Sequence, residues 1–412
     1  MVVVKVCFLT ANYPPEAQGG TEQVVVALAR ELASHSVEVS VITGSDVRRE
    51  DVDVDVREEQ HDGVTVARVF RDATESDRGY FKRPRILDVI RQRLEAVAPD
   101  VVHVHAFAGL SLGITTLCRQ MQLPVVVSFH DMWTTCARYF RLPAAGITCP
   151  TDDHREVCVK CINASLRADP EYIRERLERR SYLIRTELQA AQACTAPSRT
   201  AAALVRTSVP LESEVEVIPH GLLRPVASAD RAASPTASEP LRVGTFGGLV
   251  ASKGLRELVR ACVHVVQAGH QIELHLSGPW HEPELQVEMR ELALQFGLKM
   301  VEHGPFTSAD RHPARDLHLA VFPSKCQETY GLVVEEALAH GVPAVVSNFG
   351  ALAERAATPG VVVTPLDPLP NVLCELVASP ERLAALRDAI PSELATIAVS
   401  ANRHHDLYQS LR

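Results

Sequence analysis

The stretch that decides the fold is residues 328–347, ETYGLVVEEALAHGVPAVVS. Gly341 and Pro343 are typical of a helix end, so the pattern predicts a helix followed by a short, wholly apolar strand. Helices alternating with buried strands indicate an α/β fold with a parallel sheet. Two carboxylates, Glu328 and Glu336, stand on either side of the predicted helix start.

The same alternation runs through most of the chain. In the first part it predicts strands at 2–10, 37–43, 64–70, 100–105, 123–131 and 215–221. In the second part it predicts strands at 241–249, 271–278, 299–306, 317–324, 342–347 and 361–366. Near-continuous apolar strands separated by helical stretches predict two doubly wound parallel sheets of the Rossmann-like kind, covered on both faces.

A chain of 412 residues is too long for one ordinary core. Residues 223–240 are rich in Pro, Ala and Ser and are interpreted as a linker. We therefore expect a first domain at 1–222, a second at 241–391, and a last helix at 392–412 that is a candidate to cross back to the first domain. The cleft between two such domains is the default ligand site.

The composition limits the classes of function. The net charge is −9, and a nucleic-acid binder usually carries a basic surplus instead. The 46% hydrophobic and 23% charged content is that of a soluble globular protein. The first residues, MVVVKVCFLT, lack the pattern of a signal peptide, and no apolar run approaches the roughly 18 residues of a membrane span. We expect a cytoplasmic protein with mainly reduced thiols.

The helix predicted to begin near Tyr330 and Gly331 offers an anion site. Its free N–H groups and positive dipole end lie after a parallel strand, and a glycine lets a ligand approach the backbone. Glu336, one turn further on, would be poorly solvated unless hydroxyl groups of a sugar or ribose donate to it. The alternative is that both acids simply stabilise the helix dipole.

Three further turns are expected at the same edge of this sheet. GTFGGLVASKG, residues 244–254, is a glycine-rich turn that ends in Lys253, which suits phosphate oxygens. LSGP at 276–279 and HGPF at 303–306 end neighbouring strands, where backbone groups can contact a flat base. Each turn alone is common, and their convergence is what favours a nucleotide site.

Together these segments resemble the retaining, nucleotide-sugar-dependent glycosyltransferases of family 4, which have the two-domain GT-B fold. The most specific part is the E-x7-E motif within 323–354. The resemblance implies a nucleoside-diphosphate sugar as donor, with Glu336 on the ribose, Glu328 on the transferred sugar and Lys253 on the leaving diphosphate. The other donor-binding candidates are Tyr330, Gly331, Leu332, Gly19, Gly20, Gly247, Gly248, Gly278 and Pro305.

One position departs from the family pattern. The family usually has an arginine where this sequence has Gly248, so one cation of the expected diphosphate clamp is absent. There are three alternatives: another arginine replaces the missing one, the donor is bound differently, or the activity is weak. No DxD-type carboxylate pair stands at a strand end, so no catalytic metal is expected; the alternating acids of DVDVDV, 51–56, are interpreted as a solvated loop.

The first domain supplies candidates for the acceptor side. Gly19 and Gly20 precede Thr21, the expected N-cap of a helix, in a loop suited to contact a diphosphate or an acceptor. His130, just past a buried strand, resembles the family histidine that contacts the donor sugar. Asp131 either orients His130 or caps the next segment. Of the two histidines at 103 and 105, the second, at the strand end, is the better site candidate.

Four cysteines, Cys136, Cys149, Cys158 and Cys161, lie in an insertion at 134–165. The CxxC pair with two thiols upstream is the ligand spacing of a closed structural zinc site. A segment this poor in apolar residues would gain folding energy from the metal. Free thiols, an iron–sulfur centre and a redox pair are the alternatives.

The predicted activity is transfer of a hexose-type sugar to a hydroxyl of a glycan, lipid or small molecule, with retention. The rivals are a nucleotide-sugar 2-epimerase of the same architecture and a non-catalytic sugar-nucleotide-binding scaffold. The basic helix at 172–193 has glutamates interleaved with its arginines, so peripheral membrane contact is not favoured. The sequence specifies neither the donor base and sugar, nor the acceptor, nor the oligomeric state.

Overall fold

The structure is a computed structural model. It describes residues 3–16, 19–49, 54–72, 81–144, 149, 155–211, 214–236, 239–307 and 310–412. The chain forms two compact units: unit 1 is Met1–Leu223 with Thr396–Arg412, and unit 2 is Arg224–Ala395.

Short strands and longer helices alternate in both units. The strands are β1 (Val4–Thr10), β2 (Val37–Thr43), β3 (Arg48–Arg49), β4 (Val54–His61), β5 (Val64–Asp72), β6 (Val101–Val104), β7 (Val125–Ser128), β8 (Ala193–Ala196), β9 (Val215–Val217), β10 (Leu241–Phe246), β11 (Ile272–Ser277), β12 (Lys299–Gly304), β13 (Leu319–Phe322), β14 (Ala344–Ser347) and β15 (Val361–Thr364). The helices are α1 (Gly20–Ser34), α2 (Pro84–Val97), α3 (Ile114–Gln120), α4 (Arg155–Leu166), α5 (Pro170–Ala190), α6 (Arg199–Ser208), α7 (Leu255–Gln267), α8 (Pro283–Gln295), α9 (Leu332–Ala339), α10 (Leu369–Ala378), α11 (Pro380–Asp388) and α12 (Ile397–Ser410).

Unit 1 is built on a sheet with the strand order β3-β5-β2-β1-β6-β7-β8-β9. All neighbours in this order are parallel, and β4 adds an antiparallel partner to β5. The interpretation of 51–56 as a solvated loop is therefore wrong from Val54 onward, while 51–53 lie outside the described residues. The strand β4 is partly exposed and is held by backbone hydrogen bonds. Its sequence therefore lacks the continuous apolar run that marks the central strands.

The core of unit 1 includes residues from both ends of the chain. Phe8 of β1 and Leu28 of α1 belong to the same buried cluster as Ala401 and Tyr408 of α12. The backbone N–H of Ile397 donates to the carbonyl of Leu222 at 2.9 Å. The last helix of the chain is thus part of unit 1.

In the described part of unit 2, six parallel strands form a sheet in the order β12-β11-β10-β13-β14-β15. The segment expected to be a linker belongs largely to this unit, which begins at Arg224. Ala232 is buried, and its N–H donates to the carbonyl of His340 at 2.8 Å. Arg315 forms an ion pair with Asp230 at 2.5 Å. A composition rich in Pro, Ala and Ser did not indicate this packing.

Among the described residues, no helix is both long and apolar enough to cross a membrane.

Candidate active site

Three strand ends of unit 2 are joined by backbone hydrogen bonds. The N–H of Gly247 donates to the carbonyl of Ser277 at 3.0 Å, and that of Gly278 to the carbonyl of Gly304 at 2.8 Å. A Cβ on Gly278, where φ is +144°, would lie 1.8 Å from the carbonyl oxygen of Gly247. The close approach therefore requires glycine. Exposed Pro305 follows directly, so the predicted turn residues lie at one edge of the sheet.

The start of α9 lies against the glycine-rich turn at 244–254, which is called the glycine turn from here on. An ideal Cβ on Gly247 would lie 3.8 Å from Cγ1 of Val333, in the first turn of that helix. Gly331, at φ +84°, is the N-cap, and Leu332 is the first helical residue. The first N–H groups of a helix have no partner within it and carry positive partial charge. The glycine turn and the helix start therefore form one surface suited to an anion.

Lys253 and Glu328 form an ion pair at this surface. Nζ of Lys253 donates to Oε1 of Glu328 at 2.5 Å, and Oγ of Ser324 donates to the same oxygen at 2.8 Å. Burial favours a higher pKa for Glu328, but Lys253 and the hydrogen bonds outweigh it, so its pKa lies below the usual value. Burial likewise works against the charge on Lys253, but the Glu328 carboxylate keeps the pKa of Lys253 above the usual value.

The buried acid of α9 is Glu335, which the sequence analysis did not single out. Oη of Tyr330 donates to Oε1 of Glu335 at 2.9 Å, and Nη1 of Arg355 donates to it at 2.7 Å. The Arg355 guanidinium also lies 4.9 Å from the centre of the Tyr330 ring. These contacts hold the segment between Glu328 and the helix. The adjacent acids at 335 and 336 were the available signal, but they did not indicate which one points inward.

Glu336 was expected to be poorly solvated, whereas 27% of its side chain is exposed. Its Oε2 lies 3.8 Å from Nε2 of His312. The His312 ring packs 4.6 Å from that of His340 and 4.9 Å from that of Phe246, measured between ring centres. The carboxylate is therefore open to hydroxyl donors and lies beside an aromatic cluster.

Unit 1 has its own pocket, at the carboxyl ends of β6 and β7. It encloses about 330 Å³ of empty space, part of which is open to solvent. Its lining includes His105, Phe107, His130, Asp131, Trp133 and Thr134. Nδ1 of His105 lies 2.8 Å from Nε2 of His130, so one of these neutral rings donates to the other.

Burial keeps the histidines of this region neutral. It lowers the pKa of His130 to about 3 and that of His404 to about 4. The pKa values of His103, His105 and His220 are also well below the usual value, first through burial and then through the neighbouring histidines. Both ring nitrogens of His103 have partners: Oη of Tyr408 at 2.6 Å and Oγ of Ser128 at 2.7 Å. His103 is thus a core residue, while His105 lines the pocket.

Asp131 caps the segment that follows it. Its Oδ1 accepts a hydrogen bond from the N–H of Trp133 at 2.8 Å, which decides between the two roles considered for this residue. Burial raises the pKa of Asp131 above its usual value, although that hydrogen bond and the Arg180 charge oppose the shift. The Arg180 guanidinium lies 4.7 Å from the centre of a Trp133 ring.

The glycine loop of unit 1 differs from its prediction at the helix start. The N-cap of α1 is Gly19 instead of Thr21, and Gly20 is the first helical residue. Fully buried Arg68 supports the loop, because its guanidinium donates to the carbonyls of Tyr13 at 3.0 Å and Pro14 at 2.8 Å. An arginine within an apolar strand pattern was the signal for this support.

The cysteine insertion is described only in part, because 145–148 and 150–154 lie outside the described residues. Burial raises the pKa of Cys149, which also interacts electrostatically with Cys136 and Cys161. The N–H of Arg138 donates to Sγ of Cys136, and that of Ala144 to Sγ of Cys161, both at 3.4 Å. No group of three or more His, Cys, Asp or Glu in the described part of the chain is arranged to hold a metal ion.

Two family models match the sequence. Residues 18–222 match Glycosyltransferase Family 4, and residues 240–378 match Glycosyl transferases group 1. Among proteins of curated function, none matches the sequence significantly.

Solved structures share the fold over nearly the whole chain. Sucrose-phosphate synthase from Thermosynechococcus elongatus has a TM-score of 0.67 at 18% identity, with 99% of each chain covered. The trehalose-phosphate synthase of Burkholderia xenovorans, in complex with glucose-6-phosphate, has a TM-score of 0.68 at 11% identity, covering 98% of this chain and 100% of that one. The catalytic domain of starch synthase IV from Arabidopsis thaliana, bound to ADP and acarbose, has a TM-score of 0.68 at 15% identity, covering 100% and 99%.

The two matched domains, each on its own parallel sheet, and the shared architecture identify the chain as an enzyme that belongs to the family 4-type glycosyltransferases with the GT-B fold.

Proposed function

We propose that this enzyme transfers a sugar from a nucleoside-diphosphate sugar to an acceptor hydroxyl, with retention of configuration. The observation that carries the proposal is the convergence, within unit 2, of the glycine turn, the start of α9 and the ion pair of Lys253 with Glu328.

The diphosphate is assigned to the surface formed by the glycine turn and α9. Backbone N–H groups of Gly331 and Leu332 stand at the helix start, and Lys253, with 44% of its side chain exposed, is accessible to a ligand. Preorganised donors of this kind stabilise the charge that develops on a leaving phosphate. Lys253 therefore has two anionic partners, Glu328 and the diphosphate.

The two glutamates have separate roles in this proposal. Glu336, which is partly exposed, accepts hydrogen bonds from the ribose hydroxyls. Glu328 accepts one from the transferred sugar. Because Lys253 keeps Glu328 ionised with a lowered pKa, Glu328 is a weak base. The acceptor proton is accordingly assigned to the leaving phosphate, which is consistent with retention without a separate general base.

The acceptor is assigned to the pocket of unit 1. Its imidazoles are neutral, and its described lining contains neither Lys nor Arg. Buried Nε2 of His105 has no hydrogen-bond partner among the described residues. A hydroxyl group could satisfy it, because a hydroxyl both donates and accepts. His130 is the second ring of this pocket, and the family resemblance assigns it to the donor sugar that meets the acceptor there. These features favour an uncharged acceptor over a sugar phosphate.

A panel of radiolabelled nucleotide sugars tests the proposal. We expect slow hydrolysis of one donor, faster turnover with an uncharged acceptor, and loss of both in Glu328→Ala. NMR of the product should show the anomeric configuration of the donor. Binding without turnover would favour the scaffold, for which Gly248 is the best argument, and inversion at C2 would favour the epimerase.

We also propose a structural zinc ion on Cys136, Cys149, Cys158 and Cys161. In support, besides burial, Cys136 and Cys161 both contribute to the raised pKa of Cys149, and two backbone N–H groups point at sulfur. Four thiolates leave no open position for catalysis. Metal analysis should find about one zinc per chain in the wild type and less in Cys161→Ser, with Cys374→Ser as the control. A wild-type protein without zinc would contradict this assignment.

A further inference from the structure

His281 lies directly beside the glycine turn of unit 2. The N–H of Leu249 donates to the carbonyl of Pro279 at 3.0 Å, and the N–H of His281 points back to the carbonyl of Leu249 at 3.5 Å. The loop after β11 therefore runs alongside the turn after β10. This backbone pairing fixes the position of His281 relative to Gly248.

The imidazole occupies space that a side chain at position 248 would share. An ideal Cβ on Gly248 would lie 3.7 Å from both Cδ2 and Nε2 of His281, which is ordinary van der Waals contact. The His281 ring is exposed and forms no hydrogen bond or ion pair with any other described residue. Its nitrogens are thus available to a ligand at the turn.

The lysines near the glycine turn are already paired with glutamates, so they neutralise only part of the charge of a bound diphosphate. Lys253 is already paired with Glu328 at 2.5 Å, and Lys325 is paired with Glu257 at 2.8 Å. Glu282, next to His281, accepts a hydrogen bond from the N–H of Ala251 at 3.0 Å. A ligand with two or more negative charges needs a further donor at this surface, since a poorly compensated anion is costly to desolvate.

We propose that His281 binds the diphosphate of the donor. It would replace the arginine that family 4 glycosyltransferases usually have at the position of Gly248. A neutral imidazole donates one hydrogen bond to a phosphate oxygen, and a protonated one donates two and adds a positive charge. The inference rests on the proposed function, because it assumes a nucleoside diphosphate at this turn.

Calorimetric titration with UDP, GDP and ADP tests the assignment. For the nucleotide that binds the wild type, His281→Ala should weaken binding roughly tenfold, the size expected for one charge-assisted hydrogen bond. His264→Ala, an exposed histidine on α7, should leave the affinity unchanged. The corresponding nucleoside without phosphates should bind both proteins equally.

A second substitution should restore the lost affinity. The backbone at Gly248 is not in the left-handed region and a Cβ fits there, so Gly248→Arg is compatible with the fold. In the His281→Ala background, this arginine should recover most of the nucleotide binding.

Two results would overturn the inference while leaving the proposed function intact: wild-type affinity in His281→Ala, or an equal loss of nucleoside binding. If the wild type binds neither these three nucleotides nor CDP or dTDP, the proposed function itself fails. Thermal unfolding of each variant establishes that it is folded.

Discussion

Acidification should destabilise unit 1 through its buried histidines. His130 and His404 have folded-state pKa values of about 3 and about 4, compared with 6.5 for an exposed histidine. Below pH 6.5 the unfolded chain therefore binds protons that the folded chain does not. The stability that these two residues contribute is complete above that pH. It is lost progressively as the pH falls, down to about 4 for His404 and about 3 for His130.

The loss of stability can be calculated from these pKa values. At pH 5, a histidine with a pKa of 6.5 unfolded and 3 or 4 folded contributes a loss of about 2 kcal/mol. The two residues together cost about 4 kcal/mol, a large part of the ~5–15 kcal/mol by which domains are stable. His103, His105 and His220 shift in the same direction and increase the loss.

Urea unfolding at pH 7.5 and pH 5.0 measures the effect, with the fluorescence of Trp133 reporting on unit 1. Trp133→Phe assigns the signal by removing this contribution. His404→Leu should reduce the difference between the two pH values by about 2 kcal/mol. His264→Leu, on an exposed face of unit 2, should not change it. Equal stability of the unit 1 transition at both pH values would refute the reasoning.

Three further perturbations act on unit 2. Lys253→Met should lower kcat by about 100-fold or more, through loss of charge stabilisation at the leaving phosphate; steady-state kinetics measure this, and an unchanged kcat would contradict the role. Arg355→Met leaves Glu335 buried without its cation and should cost about 3 kcal/mol or more in urea unfolding, a loss that the additional change Glu335→Gln should reduce. Gly278→Ala should lower the melting temperature far more than Gly269→Ala, because both have positive φ but only at 278 would the Cβ meet backbone, at 1.8 Å; equal shifts would argue against the clash.

The sequence predicts the architecture well because buried parallel strands consist of consecutive apolar residues. The predicted strand at 37–43 coincides with β2, and 342–347 contains β14. Both sheets and the family assignment follow from such runs and from the motif at 323–354. The edge strand β4 could not be predicted in this way, since its pairing depends on backbone hydrogen bonds and its side chains are largely exposed.

The candidate site was predictable in position but not in detail. Glycines and acids at strand ends predict that these segments lie at one edge of the sheet, and the structure places Gly247 beside α9. Which of two adjacent acids points inward depends on the helix phase, and Glu335 is the buried one. The pairing of Lys253 with Glu328 joins residues that are 75 positions apart, so sequence patterning could not predict it.

The location of α12 has a consequence for how the protein is made. Tyr408 and Ala401 complete the core around Phe8, yet they follow all of unit 2 in the chain. During synthesis, the first 223 residues therefore emerge without a part of their own core, and unit 2 can be completed before unit 1. A chain truncated after residue 395 keeps all of unit 2 but lacks the helix α12 of unit 1. The core of unit 1 is thus the last part of this enzyme that can form, because it needs a helix that is synthesised after all of unit 2.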